Sequence, residues 1–211
     1  MEDSLVSAVV ELNEEKVIKL VKRELKNKKD PLSIVERVRT GVERVGELYE
    51  EGRYFIADLI MSGLIFNEVL KHVNFPEDST SVFAGIKVVF ATVEEDIHDV
   101  GKNVTISFFR SRGIHVIDLG VDVPVTKIVE EIEKTKASIL CLSGLISSSY
   151  KSMKKTVDLL REKQLHKQVK VIIGGNVNEE IKEYVGADYW TPNCARGLEI
   201  CEKIAREING N

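Results

Sequence analysis

The chain has 211 residues, enough for one large domain or two small ones, and a hydrophobic fraction of 43% that is ordinary for a globular protein. Its net charge of −4 is spread so that neither half is basic, which excludes a strong nucleic-acid footprint. No apolar run approaches the roughly 20 residues of a membrane span, and acidic Glu2 and Asp3 stand where a signal peptide would be basic, so a cytoplasmic protein with neither membrane nor nucleic-acid partner is expected.

Residues 1 to about 73 read as helix throughout. Leu5, Val6, Val9, Val10 and Leu12 form a first short apolar stripe. Asn13 caps a second helix, with Glu14 and Glu15 at the positive end of its dipole and Val17, Ile18, Val21 and Leu25 on its apolar face. Asp30-Pro31 opens a third, a capping carboxylate followed by proline at the first helical position. Its stripe is Ile34, Val35, Val38, Val42, Val45 and Leu48, and Gly52 ends it. Residues 57–73 form a fourth, with Leu59, Ile60, Leu64, Val69 and Leu70 apolar. Four helices with short joins predict a small antiparallel bundle, for which dimerisation or docking is the plain use.

The pattern breaks at residues 74–85, where Pro76, Glu77, Asp78, Ser79, Thr80 and Ser81 form a polar linker. The predicted domains are a helical-bundle cap over 1–75, a linker over 76–85 and an α/β domain over 86–211. Residues 87–92, 115–119, 138–142, 169–173 and 188–190 read as strands. Residues 101–112, 124–135, 150–163, 178–185 and 195–208 read as helices. Five strand–helix units with uniformly apolar strands predict a doubly wound, five-stranded parallel sheet, Rossmann- or flavodoxin-like.

In such sheets ligands bind at the strands' carboxyl ends. Asp96, His98 and Gly101 follow the first strand. Gly120-Val121-Asp122-Val123-Pro124 follows the second, Ser143-Gly144-Leu145-Ile146-Ser147-Ser148-Ser149 the third, and Gly174-Gly175-Asn176 the fourth. A carboxylate that holds one imidazole nitrogen fixes the tautomer and leaves the other nitrogen for a metal. Glycines let a ligand or a backbone approach closely, and serines supply short donors, so the edge reads as a narrow polar slot. The plain alternative is a set of tight turns, and it is accepted for Gly113 and Gly120. Asp99 is assigned to helix capping. His72, His115 and His166 have no motif around them, and Trp190 reads as packing. Cys141, Cys194 and Cys201 are odd in number and form no Cys-x-x-Cys pair, which points to a reducing compartment without disulfides or a cysteine metal site. Cys141 reads as core.

Asp96-Ile97-His98-Asp99-Val100-Gly101 is followed by 41 residues, then Ser143-Gly144-Leu145, then 28 residues, then Gly174-Gly175. This order and spacing resembles the cobalamin-binding methyl-carrier proteins: the corrinoid subunits of methyltransferase systems and the cobalamin-binding region of methionine synthase. Gly46-Glu47-Leu48-Tyr49-Glu50-Glu51-Gly52, followed by Phe55 and Ile56, is similar to the segment that caps the corrin's upper face in that family. The resemblance therefore runs from about residue 30 to the end. It implies that His98 is the lower axial ligand of cobalt, in place of the cofactor's own dimethylbenzimidazole. It implies that Asp96 holds the other ring nitrogen and that Ser149 hydrogen-bonds Asp96, the three acting as the catalytic set. The displaced nucleotide tail would thread into a slot lined by Ser143, Gly144, Ser147, Gly174 and Gly175, with Gly101 and Leu145 completing the motifs. Tyr49 and Ile56 match the apolar cap positions. The sequence departs from the family at Tyr49, where methionine synthase has phenylalanine, and at Asn176, where a small apolar residue is common. Lys102 and Asn103 begin the helix after the motif, with corrin side chains as an alternative contact.

The function implied is methyl carriage. Cobalt would take a methyl group from a donor activated by a substrate-specific methyltransferase and pass it to a second methyltransferase with a thiol cofactor or tetrahydrofolate as acceptor. A reductive activation protein is a further expected partner. The bundle would shield the reactive face and swing on a hinge at 74–85. Three other readings compete. The cobalamin subunit of an adenosylcobalamin-dependent mutase shares Asp-x-His but would not carry the 46–52 segment. A cobalamin-binding regulatory module would need a DNA-reading helix. A signalling receiver would need an acceptor aspartate and a lysine where Ser143 and Thr191-Pro192 stand.

Overall fold

The computed structural model describes residues 3–73, 83 and 85–210, and the chain divides into two compact units, Met1–Pro76 and Glu77–Asn211. Residues 74–82 and 84, on which the expected linker and hinge fall, lie outside the described residues.

The first unit packs four helices: α1 (Ser4–Val10), α2 (Glu14–Lys26), α3 (Pro31–Glu50) and α4 (Ile56–His72). Asp3, Asn13 and Asp30 start the first three as caps, accepting from the amides of Leu5 at 2.8 Å, Lys16 at 3.0 Å and Ser33 at 2.9 Å. The α1–α3 approach is close: a methyl group on Gly41 would lie 2.6 Å from the Val9 Cβ. Arg37 ties the same two helices to α2, donating to Asp3 and, at 2.6 Å, to the buried Glu24. The fourth helix corrects the sequence expectation. Its buried face is Ser62, Ile65, Phe66 and Val69, while Ile60 and Leu64, expected in the core, are exposed. This helix is apolar on nearly every side, so its spacing does not say which face turns inward.

The second unit alternates β1 (Lys87–Thr92), α5 (Val100–Ser111), β2 (His115–Asp118), α6 (Val125–Thr135), β3 (Ile139–Gly144), α7 (Ser147–Glu162), β4 (Lys170–Gly175), α8 (Glu179–Val185), β5 (Tyr189–Thr191) and α9 (Cys194–Asn209). All five strands are parallel in the order β2-β1-β3-β4-β5. The strands are near-continuous apolar runs because both sheet faces are covered by helices. The direction of winding reverses between β1 and β3, and in a sheet of this order ligands bind at that switch.

Two strands run further than their apolar residues suggest. Ser143 pairs with Gly174 and Gly144 with Gly175, so these residues belong to β3 and β4 rather than to the loops after them. Ser147 to Ser149 likewise lie in the first turn of α7. Hydrophobicity stops where the side chains become small, but the backbone ladder continues. Because side chains alternate along a strand, Ser143 and Gly174 share one face and Gly144 and Gly175 the other. The second pair is backbone packing. Gly175 has φ 106°, and a methyl group on it would lie 2.1 Å from the Gly144 carbonyl oxygen. On Gly144 a methyl would meet the Ser149 Cβ at 2.5 Å. A methyl on Gly174 would meet only Thr191, at an ordinary 3.7 Å. Gly175→Ala is therefore expected to destabilise the protein by roughly 2–4 kcal/mol, combining backbone strain with overpacking. Gly174→Ala should stay within about 1 kcal/mol of wild type. Urea unfolding of the two variants checks this, and equal losses would contradict the assignment of faces.

Candidate functional site

Residues 93–99 join β1 to α5 without regular structure, and the site is built on them. The loop is pinned at its start: Val93 bridges Val123, and its amide donates to the Ser143 carbonyl at 3.1 Å. Asp96 then turns inward to 1% exposure. Its Oδ1 accepts the His98 amide at 3.0 Å and lies 2.7 Å from His98 Nδ1. Its Oδ2 accepts the Ser149 hydroxyl at 2.6 Å, the Leu145 amide at 2.7 Å and, more weakly, the Ile146 amide at 3.4 Å. These contacts reach from the loop after β1 to the start of α7 after β3, across the switch point.

Burial alone would push this carboxyl's pKa up. The Ser149 hydroxyl, the amides of His98 and Leu145 and the His98 ring outweigh it and hold Asp96 down to about 2. The carboxylate is thus ionised, and its protein partners donate to it. The His98 ring completes that shell with Nδ1–H, which leaves the lone pair on Nε2. Half of the His98 side chain is exposed, so Nε2 is the nitrogen available to a ligand. Among the described residues no group of three or more His, Cys, Asp or Glu side chains could hold a metal ion. His98 can offer a single ligand through Nε2.

The neighbouring loops expose apolar side chains. Ile97, Val121, Leu145 and Ile146 are exposed, and they come from the loops after β1, β2 and β3. Of these only Leu145 was marked by a sequence motif; the others are ordinary apolar residues whose exposure becomes visible only in the fold. Gly101 opens α5 with no atom near enough to meet a methyl group, so nothing in the chain itself requires glycine there. On the other face, Thr92, Ser143, Gly174 and Thr191 stand side by side across four strands. Gly197 of α9 faces this row, where a methyl would lie 3.6 Å from the Thr191 Cγ2. Thr191 and Gly197 were not singled out by spacing: Thr191 ends a three-residue strand with a weak apolar signal, and Gly197 lies in the helix after it.

Ser143 and Gly174 lie together on the row, Gly144 and Gly175 close the opposite face, and Ser147 is exposed on α7. Asp99 occupies the N-cap position of α5 but makes no capping bond; its carboxylate accepts from the Asn103 side chain at 2.9 Å instead. Lys102 is no surface contact. It is 3% exposed and donates to both Asp118 oxygens, at 2.8 and 2.9 Å. Trp190 does more than pack, since its indole N–H donates to Glu179 at 2.7 Å. Tyr49 and Ile56 lie in the helical unit, where they are exposed together with Phe55, Ile60 and Leu64. No helix among the described residues is long and apolar enough to cross a membrane.

Two family models described as "B12 binding domain" match the chain, one over residues 86–192 and the other over residues 1–74. A dimethylamine corrinoid protein of Methanosarcina acetivorans is 32% identical over 95% of both chains. The solved structure of the monomethylamine corrinoid protein of Methanosarcina barkeri superposes with a TM-score of 0.84 at 27% identity, covering 96% of this chain and 97% of that one. A methanol:cobalamin methyltransferase complex from Methanosarcina barkeri matches 96% of this chain and 78% of its own at 25% identity, with a TM-score of 0.55.

The Asp96 shell makes a prediction about acid stability. Because folding lowers this pKa from 3.8 to about 2, its contribution is fully present above the unfolded value and is lost as pH falls through the folded one. Asp96→Asn turns amide hydrogens toward donors and should cost roughly 1.5–3 kcal/mol near neutral pH. The gap between wild type and variant should narrow as pH drops from about 4 toward 2. Urea titrations of the cofactor-free proteins across that range measure it, and a gap independent of pH would contradict the role given to the carboxylate.

Proposed function

This chain belongs to the B12 binding domain family, and from that premise we propose that it carries a methyl group between two methyltransferases on the cobalt of a bound corrinoid. The cofactor is cobalamin or a related corrinoid. The observation that carries the reading is a half-exposed imidazole anchored through Nδ1 to a buried, fully solvated-by-protein carboxylate at the sheet's switch point. Relatives that match both units are named as corrinoid proteins, and one matched structure is a methyltransferase complex, which favours a carrier over a mutase subunit or a regulator.

When bound, the corrinoid supplies the centre that accepts and releases the methyl group. The chain's own residues hold and tune it. His98 would hold the cobalt through Nε2. Asp96 fixes the tautomer and raises the basicity of the ring, as outer partners of metal-bound histidines do. Ser149 and the Leu145 amide keep that carboxylate charged. The row of Ser143, Gly174 and Thr191, with Gly197 opposite, receives the nucleotide tail, and Gly144 and Gly175 keep its floor closed. Tyr49 and Ile56 belong to an apolar surface suited to shielding a corrin face from water. A substrate-specific methyltransferase, an acceptor methyltransferase and a reductive activation protein are the partners this role requires.

Two measurements test the proposal. The Co(II) holoprotein should show nitrogen superhyperfine splitting in its EPR spectrum that changes when histidine is labelled with nitrogen-15, and splitting insensitive to that label would remove His98 as ligand. The reduced holoprotein alone should consume methyl iodide, a donor that needs no activation, as followed by visible absorption. It should take no methyl from methylamines, methanol or methoxylated aromatics until a partner methyltransferase is added. Turnover of a natural donor by this chain alone would overturn the carrier reading.

A further inference from the structure

Six described non-glycine residues have positive φ: Leu12, Lys28, Glu95, Asp122, Lys136 and Gln164. Four of them end helices, where a left-handed residue is ordinary. Glu95 and Asp122 do not. They sit in different loops, after β1 and after β2, at φ 68° and 50°, and they are bonded to one another. The Glu95 amide donates to Asp122 Oδ1 at 2.8 Å, and the Asp122 amide donates to the Asp96 carbonyl at 2.9 Å. Asp122 therefore clasps the His98 loop with two hydrogen bonds, one from its side chain and one from its backbone. Left-handed backbone outside a helix end is strained for most side chains, and aspartate is among those that tolerate it best.

The clasp has a firm base. The Gly120 carbonyl accepts the Thr92 amide at 3.0 Å, and the Val123 amide donates to the Thr92 carbonyl at 3.1 Å. The Gly120 amide donates to Asp118 at 2.9 Å, and Asp118 is held by the buried Lys102 of α5. The loop after β2 is thus fixed both to the strand before His98 and to the helix after it. Between these anchors runs the short segment that carries Asp96 and His98, and Asp122 grips it from the side.

We propose that Asp122 is a positioning residue for His98, setting the height and direction of the imidazole at the sheet edge through its bonds to Glu95 and Asp96. This rests on His98 being the cobalt ligand. Asp122→Gly is the informative variant, because it keeps the positive φ and the amide to Asp96 but removes the side-chain half of the clasp. Asp122→Asn keeps an acceptor and the same backbone preference, so it should behave as wild type. In the Co(II) holoprotein the equilibrium for His98 coordination, read from the nitrogen-15-sensitive EPR splitting, should fall by about tenfold in Asp122→Gly, the lower end for outer partners of a metal ligand. The corrinoid should remain bound. In the cofactor-free protein, nitrogen-15 NMR of the His98 ring should show a smaller share of the Nδ1–H tautomer in Asp122→Gly and the wild-type share in Asp122→Asn. A variant that is merely less stable, with wild-type coordination and tautomer, would overturn the proposal and reduce the clasp to a loop staple. If wild type itself shows no histidine-derived splitting, the ligand reading fails separately, and the NMR arm alone judges Asp122: an unchanged tautomer overturns it.

Discussion

One buried carboxylate sets the geometry of this site. Removing an ion from water costs several kcal/mol even after relaxation, and Asp96 meets that cost with donors from three places: its own loop, the end of β3 and the first turn of α7. Hydrogen bonds to a charged group are worth roughly 1.5–3 kcal/mol each, so a shell of this kind offsets the penalty only when most of it is in place. The Asp96 loop, the Leu145 turn and the Ser149 helix start are therefore locked together or not at all. Of the two side chains that bond Asp96, Ser149 is buried and His98 faces outward, and the orientation of the ring follows from the shell.

The fold explains why such a shell can form there. In the order β2-β1-β3-β4-β5 the connections leaving β1 and β3 diverge to opposite sides of the sheet. The crevice between them is lined by strand ends and by a helix start, which present backbone N–H groups without partners of their own. Leu145 and Ile146 amides are of this kind, and a carboxylate is their natural acceptor. The glycines complete the arrangement for a steric reason. With a side chain at Gly144 or Gly175, β3, β4 and α7 could not close to the distance that brings Ser149 to Asp96.

Much of this was legible in the chain. The parallel sheet showed in five apolar runs separated by helical spacing, the pairing of Asp96 with His98 in their Asp-x-His spacing, and that of Ser149 with Asp96 only through the family resemblance. What could not be read was where each small residue points. Ser143 and Gly144 look equivalent as letters, but strand alternation sends them to opposite faces, and only the ladder to Gly174 and Gly175 reveals it. Lys102 read as a helix start with corrin side chains as an alternative contact; its burial follows from Asp118, sixteen residues away on β2. The inward face of α4 was illegible because that helix offers apolar residues in every direction, so that Ile60 and Leu64 are exposed while Ser62 is buried. The rim of Ile97, Val121 and Ile146 was hidden for a related reason: apolar residues in loops carry no period.

The exposed apolar residues and the buried polar ones are two sides of one design constraint. A protein that supplied several ligands to its metal would hold it by coordination and need little else. On the proposed reading, in which His98 alone is offered, binding comes instead from area and shape, at about 25 cal/mol for each Å² of apolar surface covered. That requires surface kept uncovered until the ligand arrives, which Ile97, Val121, Leu145 and Ile146 provide around His98. It also requires that the single directional contact be rigid, since a mobile imidazole would surrender part of its bond to entropy. The interior of the site therefore carries the polar network and its rim carries the apolar area, the reverse of the usual arrangement in a globular domain. The left-handed pair Glu95 and Asp122 lies on the boundary between the two, where the rigid interior has to be joined to the open rim.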